Sequence, residues 1–336
     1  MDPILIWGAG AIGGSVGAWL KRAGHDVHFV DVVPEHVEAI RTTGLKITGP
    51  VEQFSVVAPA MLPAEVTGTY RRIFLAVKAH HTEEAAKALA PFLAADGYVL
   101  SLQNGLCERI IVGVVGPART IGAFVNFSTD WIAPGEVMFG SRGAVVLGEL
   151  DGAMTERLAA LHALMLDFDP NAGMTAEIWG YLWGKLGYGA MLFAQALGMA
   201  GIADCLGRPE LLPLWRALAG EANAVTRAEG VTPKGFNGYD PAAFMPASTE
   251  AMARAAVAAM VAFNRPSAKT HSGVWRDLAI RKRRTEVDVQ IAPISEIGAS
   301  HGIACPTIDR LVAMIHAVEA GTRTLHDDNL VELMGR

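Results

Sequence analysis

The segment Ile4-Leu5-Ile6-Trp7-Gly8-Ala9-Gly10-Ala11-Ile12-Gly13-Gly14 runs an apolar strand straight into G-x-G-x-x-G and then into a helical pattern. Few features restrict a fold as strongly, because strand, glycine turn and helix in that order are what a dinucleotide phosphate site requires. Gly8 permits the tight turn, Gly10 lets the backbone approach a pyrophosphate, and Gly13 lets the helix pack closely on the sheet. The helix N-terminus then offers N–H groups and a partial positive charge to the phosphates. A glycine motif alone also suits an ordinary turn, so the flanking segments decide. Ile4 to Trp7 reads as strand, Ser15 to Arg22 as helix ended by Gly24, and Val27 to Val30 as a second strand. Gly8, Ala9, Gly10, Ala11, Ile12 and Gly13 are therefore candidate cofactor contacts.

Asp31 closes the second strand, eighteen positions after Gly13. A carboxylate there accepts hydrogen bonds from the adenosine ribose hydroxyls and repels a 2′-phosphate, so NAD (NADH) is the expected cofactor, with NADP (NADPH) as the alternative. Val32 and Val33 supply no cation for a 2′-phosphate, and Arg41 lies farther along the next helix. Asp31 is also a candidate cap for the helix starting near Pro34, and the two roles are compatible.

A chain of 336 residues exceeds a comfortable single core, which predicts two domains. A net charge of −6 argues against an electrostatic grip on nucleic acid. No long apolar stretch reads as a membrane span and no signal-peptide pattern precedes the first strand, so the expectation is a soluble, cytoplasmic protein with no membrane partner. Cys107, Cys205 and Cys305 are isolated and lack paired spacing, and the ten histidines include no H-E-x-x-H, so no metal site is expected.

In the first half, Ile73 to Val77 and Tyr98 to Leu102 are short apolar runs separated by the helical pattern Thr82 to Leu93. Such alternation predicts a parallel sheet covered on both faces. Ala123 to Phe127, Glu136 to Phe139 and Ala144 to Leu147 then read as three antiparallel strands, and Met154 to Leu166 as a helix. From Thr175 to Ala320 strand signals almost vanish. The fold class expected is α/β: an N-terminal Rossmann-like, doubly wound sheet domain over residues 1–172, followed by an all-helical domain over residues 173–336.

Ligands of such sheets lie beyond the carboxyl ends of the strands. Lys78 and Asn104 stand at two such ends, as a cofactor donor and a contact to nicotinamide or substrate; a surface lysine and a plain Asn-Gly turn are the simpler alternatives. In the helical half, Lys185 is a lone cation within Ile178 to Tyr188, a run of aromatic, aliphatic and glycine residues. It is a general-acid candidate if burial holds it, or a snorkelling lysine if it does not. Glu286 follows the basic run Arg281-Lys282-Arg283-Arg284, a pattern that also suits a solvated, ion-paired face.

Taken in order, Gly8 to Gly13, Val77-Lys78, Gln103-Asn104-Gly105, Trp183-Gly184-Lys185-Leu186, Arg283 to Asp288 and His301 to Thr307 make the chain resemble the ketopantoate reductase family over nearly its whole length. The resemblance implies hydride transfer between a nicotinamide and a small-molecule 2-oxo or 2-hydroxy acid, with Lys185 as general acid. It implies further that Glu286 holds the substrate network, that Asn104 and Ser272, with the neighbouring His271, contact substrate, and that Lys78 supports the cofactor. A homodimer is implied as well, the helical domain serving substrate and dimer contacts. Three departures stand out. Gly189 and Phe193 occupy positions where the family usually carries asparagines, the Asp277 to Glu286 spacing is one residue longer, and Asp31 favours NADH where the family most often uses NADPH. They point to a related acid, more apolar near Phe193. An opine or 3-hydroxyacid dehydrogenase shares the general plan, and a non-catalytic dinucleotide-binding redox sensor is the alternative of another class.

Overall fold

The computed structural model describes residues 2–267 and 270–335. The chain separates into two units, Met1–Ile178 and Trp179–Arg336.

In the first unit, β1 (Ile4–Trp7) has Ile4, Leu5 and Ile6 fully buried. A strand covered on both faces reads as an unbroken apolar run, as this one does. It passes through the glycine turn into α1 (Ala11–Arg22) and then into β2 (Val27–Val30), parallel to β1 with Ile4 opposite Val27. The chain continues through α2 (Pro34–Thr42), β3 (Leu45–Thr48), β4 (Phe54–Val56) and β5 (Ala60–Met61). It then returns across β1 to β6 (Tyr70–Leu75), α3 (Thr82–Leu89), β7 (Leu93–Ser101), α4 (Cys107–Val115) and β8 (Thr120–Ala133). β9 (Glu136–Glu149), α5 (Glu156–Met165) and β10 (Gly173–Met174) complete the unit. Among the described residues the strand order is β4-β3-β9-β8-β7-β6-β1-β2-β5, with β10 beside β9. Because the chain leaves β1 toward β2 and resumes on its other side at β6, the topological switch lies between β1 and β6, where Trp7 faces Leu75 in register. Alternate residues feed the two faces: Ile4, Ile6, Phe29 and Phe74 pack with Trp19, and Leu5, Trp7, Ile73 and Leu75 pack with Leu89 and Ile111.

The expected doubly wound sheet is present, with three differences of detail. The runs Glu136 to Phe139 and Ala144 to Leu147 are one strand, β9, paired antiparallel with β8. The glycines between them mark close approach inside a strand: a Cβ on Gly143 would lie 1.7 Å from the Asn126 carbonyl oxygen, and the register shifts between Asn126 and Ser128. The helix after Lys78 ends at Leu89, since a 3₁₀ turn with Pro91 intervenes before β7. β3 to β5 carry too little pattern to be read in advance, and β3 owes its place to pairing with β9, Lys46 opposite Glu136.

The second unit is helical: α6 (Ile178–Gln195, its first residue in the first unit), α7 (Ile202–Leu206), α8 (Leu212–Ala228), α9 (Glu250–Asn264), α10 (Gly273–Arg276), α11 (Val287–Gln290), α12 (Ala292–Ser300), α13 (Pro306–Glu319) and α14 (Asp328–Leu333). A π-helical turn, Asp277–Arg281, follows α10. The one β feature among its described residues is an isolated bridge between Phe236 and Tyr239. The glycines of α6 admit a second backbone: the Lys234 N–H donates to Gly180 O at 2.8 Å, and a Cβ on Gly184 would lie 2.1 Å from the Lys234 carbonyl oxygen. Gly184→Ala is therefore expected to cost about 1–3 kcal/mol through overpacking. A melting temperature several degrees lower checks this, and an unchanged one contradicts it.

The three cysteines are buried thiols that form no disulfide, and burial pushes the Cys205 thiol up to about 12, so it stays protonated at neutral pH. Among the described residues no helix is long and apolar enough to cross a membrane.

Candidate active site

The glycine turn is fixed from several sides. Gly8 has φ +99°, and a Cβ there would lie 2.8 Å from Val77 N and 2.9 Å from Ala76 C, so only glycine lets the turn press against the end of β6. The Gly8 N–H donates to Val30 O and the Ala76 N–H to Trp7 O, each at 2.8 Å. A Cβ on Gly13 would stand 2.0 Å from Gly8 O. Bonding within α1 begins with Gly14 N–H to Gly10 O at 2.8 Å, which leaves the N–H groups of Ala11, Ile12 and Gly13 at the open helix end. The Ser15 hydroxyl bonds Ala11 O at 2.7 Å and meets the Thr129 hydroxyl at 2.9 Å, tying this first turn to β8. Gly10, Ala11 and Ile12 stay half-buried, and no atom stands within 4 Å of a Cβ built on Gly10. The candidate residues thus form a rigid turn with one open side, at Gly10.

Asp31 is half-buried at the end of β2. Its carboxylate accepts from the Ala9 N–H at 2.9 Å through Oδ2 and from the Val33 N–H at 3.1 Å through Oδ1. The residue flanking α2 is Val33, with no side-chain cap, so Asp31 braces the glycine turn and does not cap α2. Arg41 is paired with Glu38 inside α2, and that hydrogen bond raises its pKa.

Lys78, exposed, and Asn104, half-buried, follow the neighbouring strands β6 and β7, paired through Leu75 and Ser101. Gln103 locks the two segments: its buried amide donates to Val77 O at 2.9 Å and to the Thr82 hydroxyl at 2.8 Å. Its presence within Gln103-Asn104-Gly105 was visible in the sequence, but its partners, 26 and 21 positions away, were not.

In the helical unit, Tyr181, Lys185 and Gly189 form a half-buried stripe along α6, while Trp183 and Leu186 are buried. Lys185 is thus intermediate between the buried and the snorkelling alternatives. A Cβ on Gly189 would lie 3.8 Å from Ile291 Cδ1, so Ile291, just after α11, packs on the face of α6 that carries Lys185, one turn along. Glu286 is nearly buried and flanks α11, with its carbonyl accepting from the Gln290 N–H at 2.9 Å. The preceding Thr285 donates both its N–H and its hydroxyl to Glu319 Oε1, each at 2.7 Å. Sequence reasoning missed Glu319, which lies 34 positions away and carries no local signal.

The basic run is not one solvated helix face. Arg281 and Arg283 bond Asp277 at 3.1 and 2.9 Å, Lys282 is left-handed at φ 51°, and the π-helical turn takes up one residue more than an α-turn, matching the longer spacing. Ser272 is buried and its Oγ accepts from the Trp275 N–H at 3.1 Å, capping α10. The His271 ring lies 4.0 Å from that of Trp275 and bonds the Thr270 hydroxyl at 2.9 Å and Met199 O at 3.2 Å. His271 therefore lies beside Met199, past the end of α6, with Ser272 next to it in the chain. Phe193 is only 2% exposed within the unit.

A glycine turn at the switch point of a largely parallel sheet, braced by an acid at the end of β2, defines the first unit as a dinucleotide-binding fold. Residues 4–152 match the family described as Ketopantoate reductase PanE/ApbA, and residues 177–319 match Ketopantoate reductase PanE/ApbA C terminal. The 2-dehydropantoate 2-reductases of Mesorhizobium japonicum and Archaeoglobus fulgidus are 27% and 29% identical to the chain, each alignment covering 95% of it and 98% of the relative. The crystal structure of a PanE/ApbA family ketopantoate reductase from Ralstonia eutropha JMP134 superposes with a TM-score of 0.79 at 27% identity, over 95% of this chain and 99% of that one. The ternary structure of D-mandelate dehydrogenase with NADH and anilino(oxo)acetate has the same fold, with a TM-score of 0.82 at 23% identity and the same coverage. The chain belongs to the ketopantoate reductase family of oxidoreductases.

Proposed function

We propose that this chain is an NADH-preferring oxidoreductase interconverting a small 2-oxo acid and its 2-hydroxy acid, with residues 1–172 binding the dinucleotide and the helical remainder supplying substrate and dimer contacts. The observation that carries the cofactor reading is the Asp31 carboxylate, held against the glycine turn by the Ala9 N–H. Its remaining lone pairs accept ribose hydroxyls, its charge repels a 2′-phosphate, and Val32, 74% exposed beside it, offers an apolar surface to the adenine. The backbone N–H groups at Gly10 to Ile12 hold the pyrophosphate, and Lys78 and Asn104 serve the nicotinamide end.

A bound nicotinamide would supply a hydride to the C2 carbonyl carbon, and the Lys185 ammonium would stabilise the negative charge then developing on the carbonyl oxygen and deliver the proton. In the reverse direction the neutral amine takes the proton back. Glu286 orients the substrate, with Asn104, Ser272 and His271 as further contacts. Ketopantoate is the first substrate to test. A bulkier, more apolar acid is the second, favoured by Gly189 and Phe193 standing where the family usually carries asparagines. The neighbouring D-mandelate dehydrogenase structure, with its bound anilino(oxo)acetate, keeps that reading in view.

The test is cofactor oxidation with NADH and NADPH in parallel across 2-oxo acids that include ketopantoate and phenylglyoxylate. NADH is expected to be the better donor. Asp31→Asn keeps an oxygen for the Ala9 N–H but removes the charge, and should cut the NADH over NADPH preference by about 10–100-fold, the value of hydrogen bonds to a charged group. A preference for NADPH in the unaltered protein overturns the cofactor assignment, and absence of turnover across the panel with tight dinucleotide binding favours the sensor alternative. Sedimentation at micromolar concentration tests the dimer.

A further inference from the structure

His36, on α2, is 1% exposed and bonded at both ring nitrogens to backbone groups from two other parts of the first unit. Nδ1 accepts from the Gly135 N–H at 2.9 Å, at the turn between β8 and β9. A nitrogen that accepts carries no proton, so in the neutral ring the proton is on Nε2, which donates to the Ala9 carbonyl oxygen at 2.8 Å. The ring also stands edge-on to Trp131, with centroids 6.0 Å apart. Gly135 is itself fixed, since its carbonyl accepts from the Lys46 N–H at 2.8 Å and a Cβ on it would lie 2.7 Å from Ala39 Cβ. The imidazole is thus a strut between a fixed hairpin tip and the residue in the middle of the glycine turn.

Ala9 has both polar backbone groups held by side chains, the N–H by Asp31 and the carbonyl by His36. Peptide planarity carries this one step further. In a trans peptide the Ala9 carbonyl and the Gly10 N–H point in opposite directions, and every peptide bond among the described residues is trans. With the Ala9 oxygen drawn inward to the buried imidazole, the Gly10 N–H is turned the opposite way, away from the imidazole. We propose that His36 is a positioning residue for dinucleotide binding: by holding the Ala9 carbonyl it aims the Gly10 N–H at the pyrophosphate, and it couples that aim to the β8–β9 hairpin. This rests on the dinucleotide-binding reading of the first unit and adds to it a residue outside the glycine motif.

Two substitutions divide the strut. His36→Asn places an oxygen near the position of Nδ1 and keeps the acceptor for Gly135 but loses the donor to Ala9. His36→Gln places an N–H near the position of Nε2 and keeps the donor. Fluorescence titration is expected to show the Kd for NADH raised about tenfold in His36→Asn, the value of one hydrogen bond, with kcat at saturating cofactor within about twofold and a near-normal melting temperature. His36→Gln should restore Kd to within about threefold. Equal Kd values in all three proteins, or kcat falling in step with Kd in both variants, would overturn the proposal. Should either variant fail to fold, ¹⁵N resonances of the imidazole in the unaltered protein decide: the Nε2–H form is expected, and the Nδ1–H form refutes the strut. Failure of the unaltered protein to bind NADH or NADPH would remove the dinucleotide reading itself, and is seen before any substitution is made.

Discussion

Lys185→Ala is expected to lower kcat by about 10²–10⁴-fold, the usual worth of a positioned proton donor, while the Kd for NADH stays near that of the unaltered protein. The two should separate because the residues proposed to hold the cofactor, Gly8 to Gly13 and Asp31, belong to the first unit, and Lys185 belongs to the second. Folding should be little affected: Lys185 is half-buried, and the packing of this stretch of α6 rests on Trp183 and Leu186. Lys185→Arg sharpens the result. A guanidinium keeps the positive charge but does not give up its proton near neutral pH. Activity between those of the unaltered protein and the alanine variant means that charge stabilisation and proton delivery both contribute; activity as low as that of alanine means that delivery dominates. Turnover within about threefold in Lys185→Ala would remove the residue from the mechanism.

The second large effect contrasts two glycines three positions apart. A methyl on Gly13 would stand 2.0 Å from Gly8 O, 2.9 Å from Ile6 Cγ2 and 3.0 Å from Ala76 Cβ. The oxygen belongs to a turn already fixed at Gly8 and Ala9, so nothing flexible can yield. Gly13→Ala should cost about 1–3 kcal/mol or more, seen as a melting temperature lower by several degrees, and should weaken NADH binding because the turn itself is displaced. Gly10→Ala meets no atom within 4 Å and sits at φ −66°, which alanine adopts freely. Its melting temperature should be nearly unchanged, yet its affinity for NADH should fall by about tenfold or more, because the methyl occupies the space a pyrophosphate needs. Loss of stability in the Gly10 variant, or intact binding in the Gly13 variant, would contradict this account of the turn.

The parts legible in the sequence share one property: each is encoded within a few consecutive residues. An apolar run ending in Gly8-Ala9-Gly10 is read locally, because strand periodicity and glycine freedom act over a handful of positions. Asp31 follows from counting onward to the end of the next strand. Lys185 stands out because it is alone among apolar neighbours. By contrast, Ser141 to Gly143 suggest a break in the chain, and only the opposing backbone of β8 reveals that Gly143 accommodates a neighbour within one long strand. The π-helical turn Asp277–Arg281, just before the run that reads as a charged helix face, likewise carries no local signal.

What the sequence by itself determined is the class of fold, the change from sheet to helices, the glycine turn with its acid, and the lysine and glutamate that resemble a reductase site. What only the tertiary structure decided is how those groups are held. Asp31 braces Ala9 where it was also a candidate helix cap, Glu319 secures the residue before Glu286, and His36 joins the glycine turn to a hairpin tip 99 positions beyond His36 itself. The physical reason is that propensity and periodicity are local, whereas hydrogen bonds between distant segments are fixed only when the sheet and helices have set their backbones in register.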